Sequence, residues 1–253
     1  QTPTYAATDT TPSVVEGVTA VETNIAITDT DTGDSNTCTR GGVDAALFTC
    51  TVTATTYTLA FTNAPDYDDA DDVGGDNVYD VTVAIVDGTN TGATITYVVT
   101  VTDTNDQTPS VSVASTYNHA EAAATTFQTY TMVDTDTTGT YACTLGGTDA
   151  ADFAKSESGK DCIVTFAANP NYEIPVDSGT NNVYDITIAF TDGTNALGAQ
   201  TTAITVTDAN DQTPTMVLAA AYNHAEAAST TWLDFTMVDT DTTGTYACTI
   251  AGT

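Results

Sequence analysis

Positive charge is almost missing from this 253-residue chain: 3 Lys and Arg stand against 34 Asp and Glu, for a formal charge of −31. The three cations are Arg40, Lys155 and Lys160. Nucleic-acid recognition needs clustered Lys and Arg to displace counterions from phosphates, so that class of partner is excluded. An anionic membrane surface would repel the chain for the same reason. No run of about 18 apolar residues occurs, so direct membrane insertion is not expected. Gln1-Thr2-Pro3-Thr4 has neither the charged nor the apolar region of a signal peptide. There is no Cys-x-x-Cys, which argues against a thioredoxin-like redox motif. There is no Asn-x-Ser/Thr, so N-glycosylation of that type is not expected.

What is present points to β-structure. Hydrophobic residues make up 41%, too many for a disordered acidic tail. Thr supplies roughly a quarter of the chain, far above ordinary usage. With Val, Ile, Tyr and Phe it favours strands, and long helical patterns are absent. The Ala-rich stretch 119–124 is short and runs into β-branched residues, so no helix is assigned there.

Internal repetition organises the chain. Val101-Thr102-Asp103-Thr104-Asn105-Asp106-Gln107-Thr108-Pro109 returns as Val206-Thr207-Asp208-Ala209-Asn210-Asp211-Gln212-Thr213-Pro214, an offset of 105 residues from Asp103 to Asp208. The same offset links Asn77-Val78-Tyr79-Asp80 to Asn182-Val183-Tyr184-Asp185, and Asp87-Gly88-Thr89-Asn90 to Asp192-Gly193-Thr194-Asn195. Asp29-Thr30-Asp31 recurs at Asp134-Thr135-Asp136 and again at Asp239-Thr240-Asp241. We therefore expect one repeat over 1–106, a second over 107–211 and the first part of a third over 212–253. Gln1-Thr2-Pro3 matches the tail of the linker, so further repeats are expected on both sides. Residues 57–61, 81–85 and 186–190 alternate apolar and polar, and 94–102 sets Ile95, Tyr97, Val99 and Val101 on one face. A period of two buries one face and solvates the other. About seven such strands in about 100 residues predict a β-sandwich.

Five cysteines follow the repeats: Cys38 with Cys50, Cys143 with Cys162, and Cys248 at the position of Cys38 and Cys143. One bridge per small domain points to an oxidising, extracellular compartment. Cys50 aligns with Lys155 and Cys162 with Tyr57, so the bridges land on neighbouring strands or on different sites of one hairpin. A partner for Cys248 is expected beyond Thr253. His119 and His224, one per repeat and without a nearby cysteine, read as structural rather than as zinc ligands.

Acidic residues keep their spacing while their neighbours change. The first repeat has Glu16, Asp29-x-Asp31, Asp66-Tyr67-Asp68, Asp87 and Asp103-x-Asn105-Asp106. The second has Glu121, Asp134-x-Asp136, Asn171-Tyr172-Glu173, Asp192 and Asp208-x-Asn210-Asp211, and the third opens with Glu226 and Asp239-x-Asp241. Carboxylates brought close together are costly unless one protonates or a cation binds. Carboxylate and Asn oxygens without nitrogen or sulfur ligands suit Ca²⁺ better than Mg²⁺, which keeps several waters. Asp-Gly at 87–88 and 192–193 also fits a plain turn. The acidic loop after Asp68 has a far less acidic counterpart and reads as solvated.

This pattern resembles the cadherin repeat over nearly the whole chain. The resemblance implies an all-β fold of tandem Greek-key, Ig-like sandwiches joined end to end by short calcium-binding linkers. It implies one junction built from Glu16, Asp66, Asp68, Asp103, Asn105, Asp106, Asp134, Asp136 and Asp192. It implies a second from Glu121, Asn171, Glu173, Asp208, Asn210, Asp211, Asp239 and Asp241. Asp29, Asp31 and Asp87 would face a preceding linker. Gln107 and Gln212 depart from the family's final linker Asn, and Asn171 lowers the charge of the second junction. Trp232 is internal, so adhesion by exchange of an N-terminal tryptophan is unsupported.

The expected function is a non-enzymatic extracellular structural or adhesive protein, a surface fibre, filament subunit or adhesin stalk stiffened by calcium. Its partners would be copies of itself or neighbouring repeats. An enzyme is disfavoured: Asp31-Thr32-Gly33 resembles an aspartic-protease triplet, but the other repeats read Asp136-Thr137-Thr138 and Asp241-Thr242-Thr243. The alternative is a glycan- or ice-binding module using Thr rows, although twisted sandwiches do not offer flat arrays.

Overall fold

The computed structural model describes residues 1–31, 35–218, 223, 225–226 and 235–251. Thr32, Gly33, His224 and Trp232 lie outside the described residues. The chain divides into two compact units, residues 1–107 with 134–139, and residues 108–133 with 140–253.

Among the described residues of the first unit, eight strands form two sheets. The strands are β1 (Thr4–Tyr5), β2 (Ser13–Val15), β3 (Ala20–Thr28), β4 (Thr37–Gly41), β5 (Phe48–Val52), β6 (Thr56–Phe61), β7 (Val78–Val86) and β8 (Ile95–Thr102). One sheet runs β1-β3-β6-β5 and the other β2-β8-β7-β4. Only β2 with β8 is parallel; the other pairs are antiparallel. Alternation decides the facing: Tyr57, Leu59 and Phe61 point inward from β6, and Tyr97, Val99 and Val101 from β8. They meet Val81, Val83 and Ile85 of β7 in one core. Burying each such side chain stabilises by about 1.5–3 kcal/mol. Phe48 stacks on Phe61 at 4.5 Å between centroids, with Tyr79 edge-on to both. The hydroxyls of Tyr57 and Tyr97 pair at 2.6 Å in full burial.

The second unit repeats this plan with β9 (Thr116–Ala120), β10 (Thr126–Thr131), β11 (Ala142–Gly146), β12 (Phe153–Ser158), β13 (Asp161–Phe166), β14 (Val183–Thr191) and β15 (Ala196–Thr207). Its sheets are β10-β13-β12 and β11-β14-β15-β9. The β1–β3 pairing survives only as the bridge Ser110↔Val133, and the same bridge recurs 105 residues on as Thr215↔Val238. Residues 119–124 hold the end of β9 and a turn, as the β-branched sequence after them implied. His119 is buried against Phe166, and burial pulls its pKa down.

Both bridges form and cross from one sheet to the other. Cys38 on β4 joins Cys50 on β5, and Cys143 on β11 joins Cys162 on β13. Strands β12 and β13 are the second unit's copy of the β5–β6 hairpin. The second cysteine has therefore moved to the neighbouring strand of one hairpin, where Tyr57 stands in the first unit. Cys248 is free and exposed.

Candidate metal centre

Glu16 follows β2 directly and is 8% exposed. Its Oε2 accepts the Tyr67 N–H at 2.7 Å, and its Oε1 accepts the Thr104 N–H at 2.5 Å. One carboxylate thus ties the Asp66-Tyr67-Asp68 triplet to the linker after β8. Asp66 Oδ1 accepts the Asp68 N–H at 3.0 Å and turns the triplet back. As a result one carboxylate oxygen from each of Glu16, Asp66 and Asp68 lies within 4.8 Å of the others. A second such set, Asp68, Asp103 and Asp136, shares Asp68. Asp136 is 2% exposed and receives the Gln107 N–H on Oδ2. Asp103 receives the N–H and the hydroxyl of Thr137 on Oδ2.

The remaining oxygens are the informative ones. Asp68 Oδ2, Asp103 Oδ1 and Asp136 Oδ1 are buried and accept no hydrogen bond. Such atoms cost free energy unless something positive meets them. Burial, then the charges of Asp136, Glu16 and Asp103, pushes the Asp68 carboxyl up to about 6. Burial also raises Asp136, opposed by the Gln107 amide and reinforced by Asp134 and Asp103. The three basic side chains are engaged elsewhere: Arg40 with the Ala45 carbonyl, Lys155 with Glu157, and Lys160 over the Tyr141 ring.

The second unit rebuilds the arrangement. Glu121, 2% exposed, accepts the Tyr172 N–H at 2.6 Å and the Ala209 N–H at 2.7 Å. Glu121, Glu173 and Asp208 bring an oxygen each within 4.8 Å. Asp208 accepts from Thr242, whose hydroxyl holds its pKa down, and Asp241 accepts the Gln212 N–H at 2.9 Å. Both Glu173 oxygens, Asp208 Oδ1 and Asp241 Oδ1 are buried without a donor. Burial raises the Glu173 carboxyl, with Glu121, Asp241 and Asp211 adding to it. Asn171 differs from Asp66: its Oδ1 caps the Ile174 N–H at 2.8 Å.

A further trio, Asp29, Asp31 and Asp87, gathers in the first unit. Asp87 also caps its turn, with Oδ1 accepting the Thr89 and Asn90 N–H groups, of which Asn90 does most to lower its pKa. Asp192, fully buried, caps the equivalent turn through Thr194 and Asn195. The plain-turn reading of Asp87 and Asp192 therefore holds alongside any ligand role. Asp134 and Asp239 each accept the N–H of the second Asp in their Asp-x-Asp, both at 3.3 Å. Asn105 is half-buried, and Asn210 is exposed. Asp106 and Asp211 are exposed and bond to the side chains of Gln107 and Gln212.

The donor set is all carboxylate oxygen, partly buried, with its spare lone pairs converging. That fits a hard divalent cation that takes oxygen ligands, Ca²⁺ before Mg²⁺. Two pairs of acids are satisfied by backbone N–H groups instead, and among them Asp72 alone departs from the expectation of a solvated loop, since Asp69 and Asp71 are exposed. Asp72 is 7% exposed, not solvated, and accepts the Asp76 and Asn77 N–H groups; Asp177 does the same for Asn181 and Asn182. Asp44 holds the Val73 and Asp80 N–H groups, and Asp149 those of Ser178 and Asp185.

No family model matches the chain, and no curated protein matches it in sequence. Solved structures do match. Human CDH23 EC21–23 aligns over 96% of this chain and 81% of its own, with a TM-score of 0.68 at 18% identity. Human Protocadherin-24 EC1–2 aligns over 83% of this chain and 99% of its own, with a TM-score of 0.63 at 17% identity. The Protocadherin gammaB7 EC3–6 cis-dimer structure has a TM-score of 0.59 at 20% identity over 95% of this chain, which spans 57% of that chain. The chain therefore has the fold of tandem cadherin-like repeats: all-β sandwiches of Greek-key topology in series.

Proposed function

We propose that this chain is a calcium-binding, non-enzymatic, extracellular structural or adhesive segment. Its repeats span 1–106, 107–211 and, in part, 212–253, and calcium at the linkers stiffens the series. The observation that carries the reading is the set of buried carboxylate oxygens without donors, repeated at an offset of 105 residues. Glu16, Asp66, Asp68, Asp103 and Asp136 would hold calcium in the first unit, and Glu121, Glu173, Asp208 and Asp241 in the second. Calcium supplies the positive charge that these oxygens lack. The residues do the rest: Glu16 and Glu121 lock triplet to linker, and Thr137 and Thr242 orient Asp103 and Asp208. Extracellular calcium modules bind at about 10⁻⁴–10⁻³ M, so external calcium would set the stiffness. Self-association through neighbouring repeats or copies fits a fibre or stalk. The test is thermal unfolding with millimolar calcium and then with EDTA. A higher melting temperature with calcium is expected, and an unchanged one would defeat the reading.

A further inference from the structure

The loop after each triplet is anchored by an asparagine that lies outside the acidic pattern. Asn77 is 8% exposed, and its backbone sits at φ 62°. Its Nδ2 donates to the Tyr67 carbonyl at 2.8 Å, the carbonyl in the middle of the Asp66-Tyr67-Asp68 triplet. Its own carbonyl accepts the Val101 N–H at 2.9 Å, on β8 just before the linker residue Asp103. Its N–H rests on Asp72 Oδ1 at 2.9 Å. Asn182 copies each contact: φ 61°, Nδ2 to the Tyr172 carbonyl at 2.8 Å, carbonyl from the Val206 N–H at 2.8 Å, and N–H to Asp177 Oδ1 at 2.9 Å.

The loops that carry these contacts share little else. Residues 69–76 read DADDVGGD and residues 174–181 read IPVDSGTN, alike only at the Asp and at one Gly. The geometry is held although the surrounding sequence is not. The amide oxygens of Asn77 and Asn182 accept nothing, so each side chain is kept for its N–H donor.

We infer that Asn77 and Asn182 are positioning residues for the two cation sites. Each fixes the triplet's central peptide against the strand that delivers the linker acids, with Asp72 or Asp177 holding the asparagine in place. This rests on the calcium reading above. Outer partners that orient metal ligands commonly matter by about 10–100-fold in affinity. Asn77→Gly keeps the positive φ and removes the amide, and Asn77→Asp keeps size and φ tolerance while replacing the donor with an acceptor.

Calcium titration calorimetry on the whole chain, with amide NMR shifts of Tyr67 and Tyr172 assigning the sites, tests this. Both variants should weaken the first site by about tenfold or more, leave the second unchanged, and keep native strand shifts without calcium. Asn182→Gly should do the reverse. If either folded Asn77 variant binds at the first site as tightly as the parent, Asn77 is merely structural and the inference is overturned while the calcium reading stands. If the parent binds no calcium at either site, both are overturned.

Discussion

Asp68 offers a perturbation whose sign reverses with calcium. It is shared by two carboxylate sets of the first unit, Glu16–Asp66–Asp68 and Asp68–Asp103–Asp136, and its Oδ2 has no donor. Its carboxyl is pushed to about 6 from 3.8. A raised carboxyl pKa means that the metal-free folded state holds a proton the unfolded state has released. Stability from that proton is full below about pH 4 and is lost as pH rises through about 6. The gap corresponds to roughly 3 kcal/mol at full value, and solvent screening of a partly exposed group brings it to about 1–2 kcal/mol. Asp68→Asn imitates the protonated form at every pH. In metal-stripped buffer the variant should match the parent at pH 4 and exceed it by about 1–2 kcal/mol at pH 7. With millimolar calcium at pH 7 the order should invert, because the variant has lost a ligand. Urea unfolding at each pH, read by Tyr fluorescence, gives both comparisons. A variant less stable than the parent at pH 7 without metal would show that the Asp68 carboxylate is not destabilising in the metal-free fold.

Two further predictions concern the scaffold. Tyr57→Phe leaves the fully buried Tyr97 hydroxyl without its partner and should cost about 1–3 kcal/mol, whereas Tyr57→Phe with Tyr97→Phe should cost less than the sum of the single changes; strict additivity in urea unfolding would contradict the hydroxyl pair. Replacing Cys143 and Cys162 by Ala removes a closure of 19 residues, and should destabilise the second unit by about 3 kcal/mol. Hydrogen exchange in β13 and β14 would report it, and unchanged protection would count against a stabilising bridge.

Much of this was legible in the chain. Alternation at 57–61 and 81–85 gave strands because one face is buried and one is wet, and each sandwich needs that pattern on both sheets. The cysteine offsets left open where Cys162 sits, since sequence does not show that Tyr57 and Cys162 occupy the same inward position of a hairpin. Asp72 was missed because a run of acids looks solvated until its backbone partners are seen, and Asp177 because a lone Asp before Ser178-Gly179 looks like an ordinary turn residue. A signal was there: Asp72 keeps its offset to Asp177 while its neighbours change, as the cluster acids do. Asp44 and Asp149 keep the same offset within a stretch that is itself retained, GGVDAALF against GGTDAADF. Spacing alone does not separate a carboxylate satisfied by N–H groups from one left with bare oxygens. That distinction appears only in the folded chain, where Asp72 has its donors and Asp68 Oδ2 has none.

The most direct measurement is a crystal structure grown in millimolar calcium, with anomalous scattering to locate the ion. A peak is expected about 2.3–2.6 Å from the donor-free oxygens of Asp68, Asp103 and Asp136, and another among Glu121, Glu173 and Asp208. Ordered density with those oxygens hydrated by water and no ion among them would contradict it.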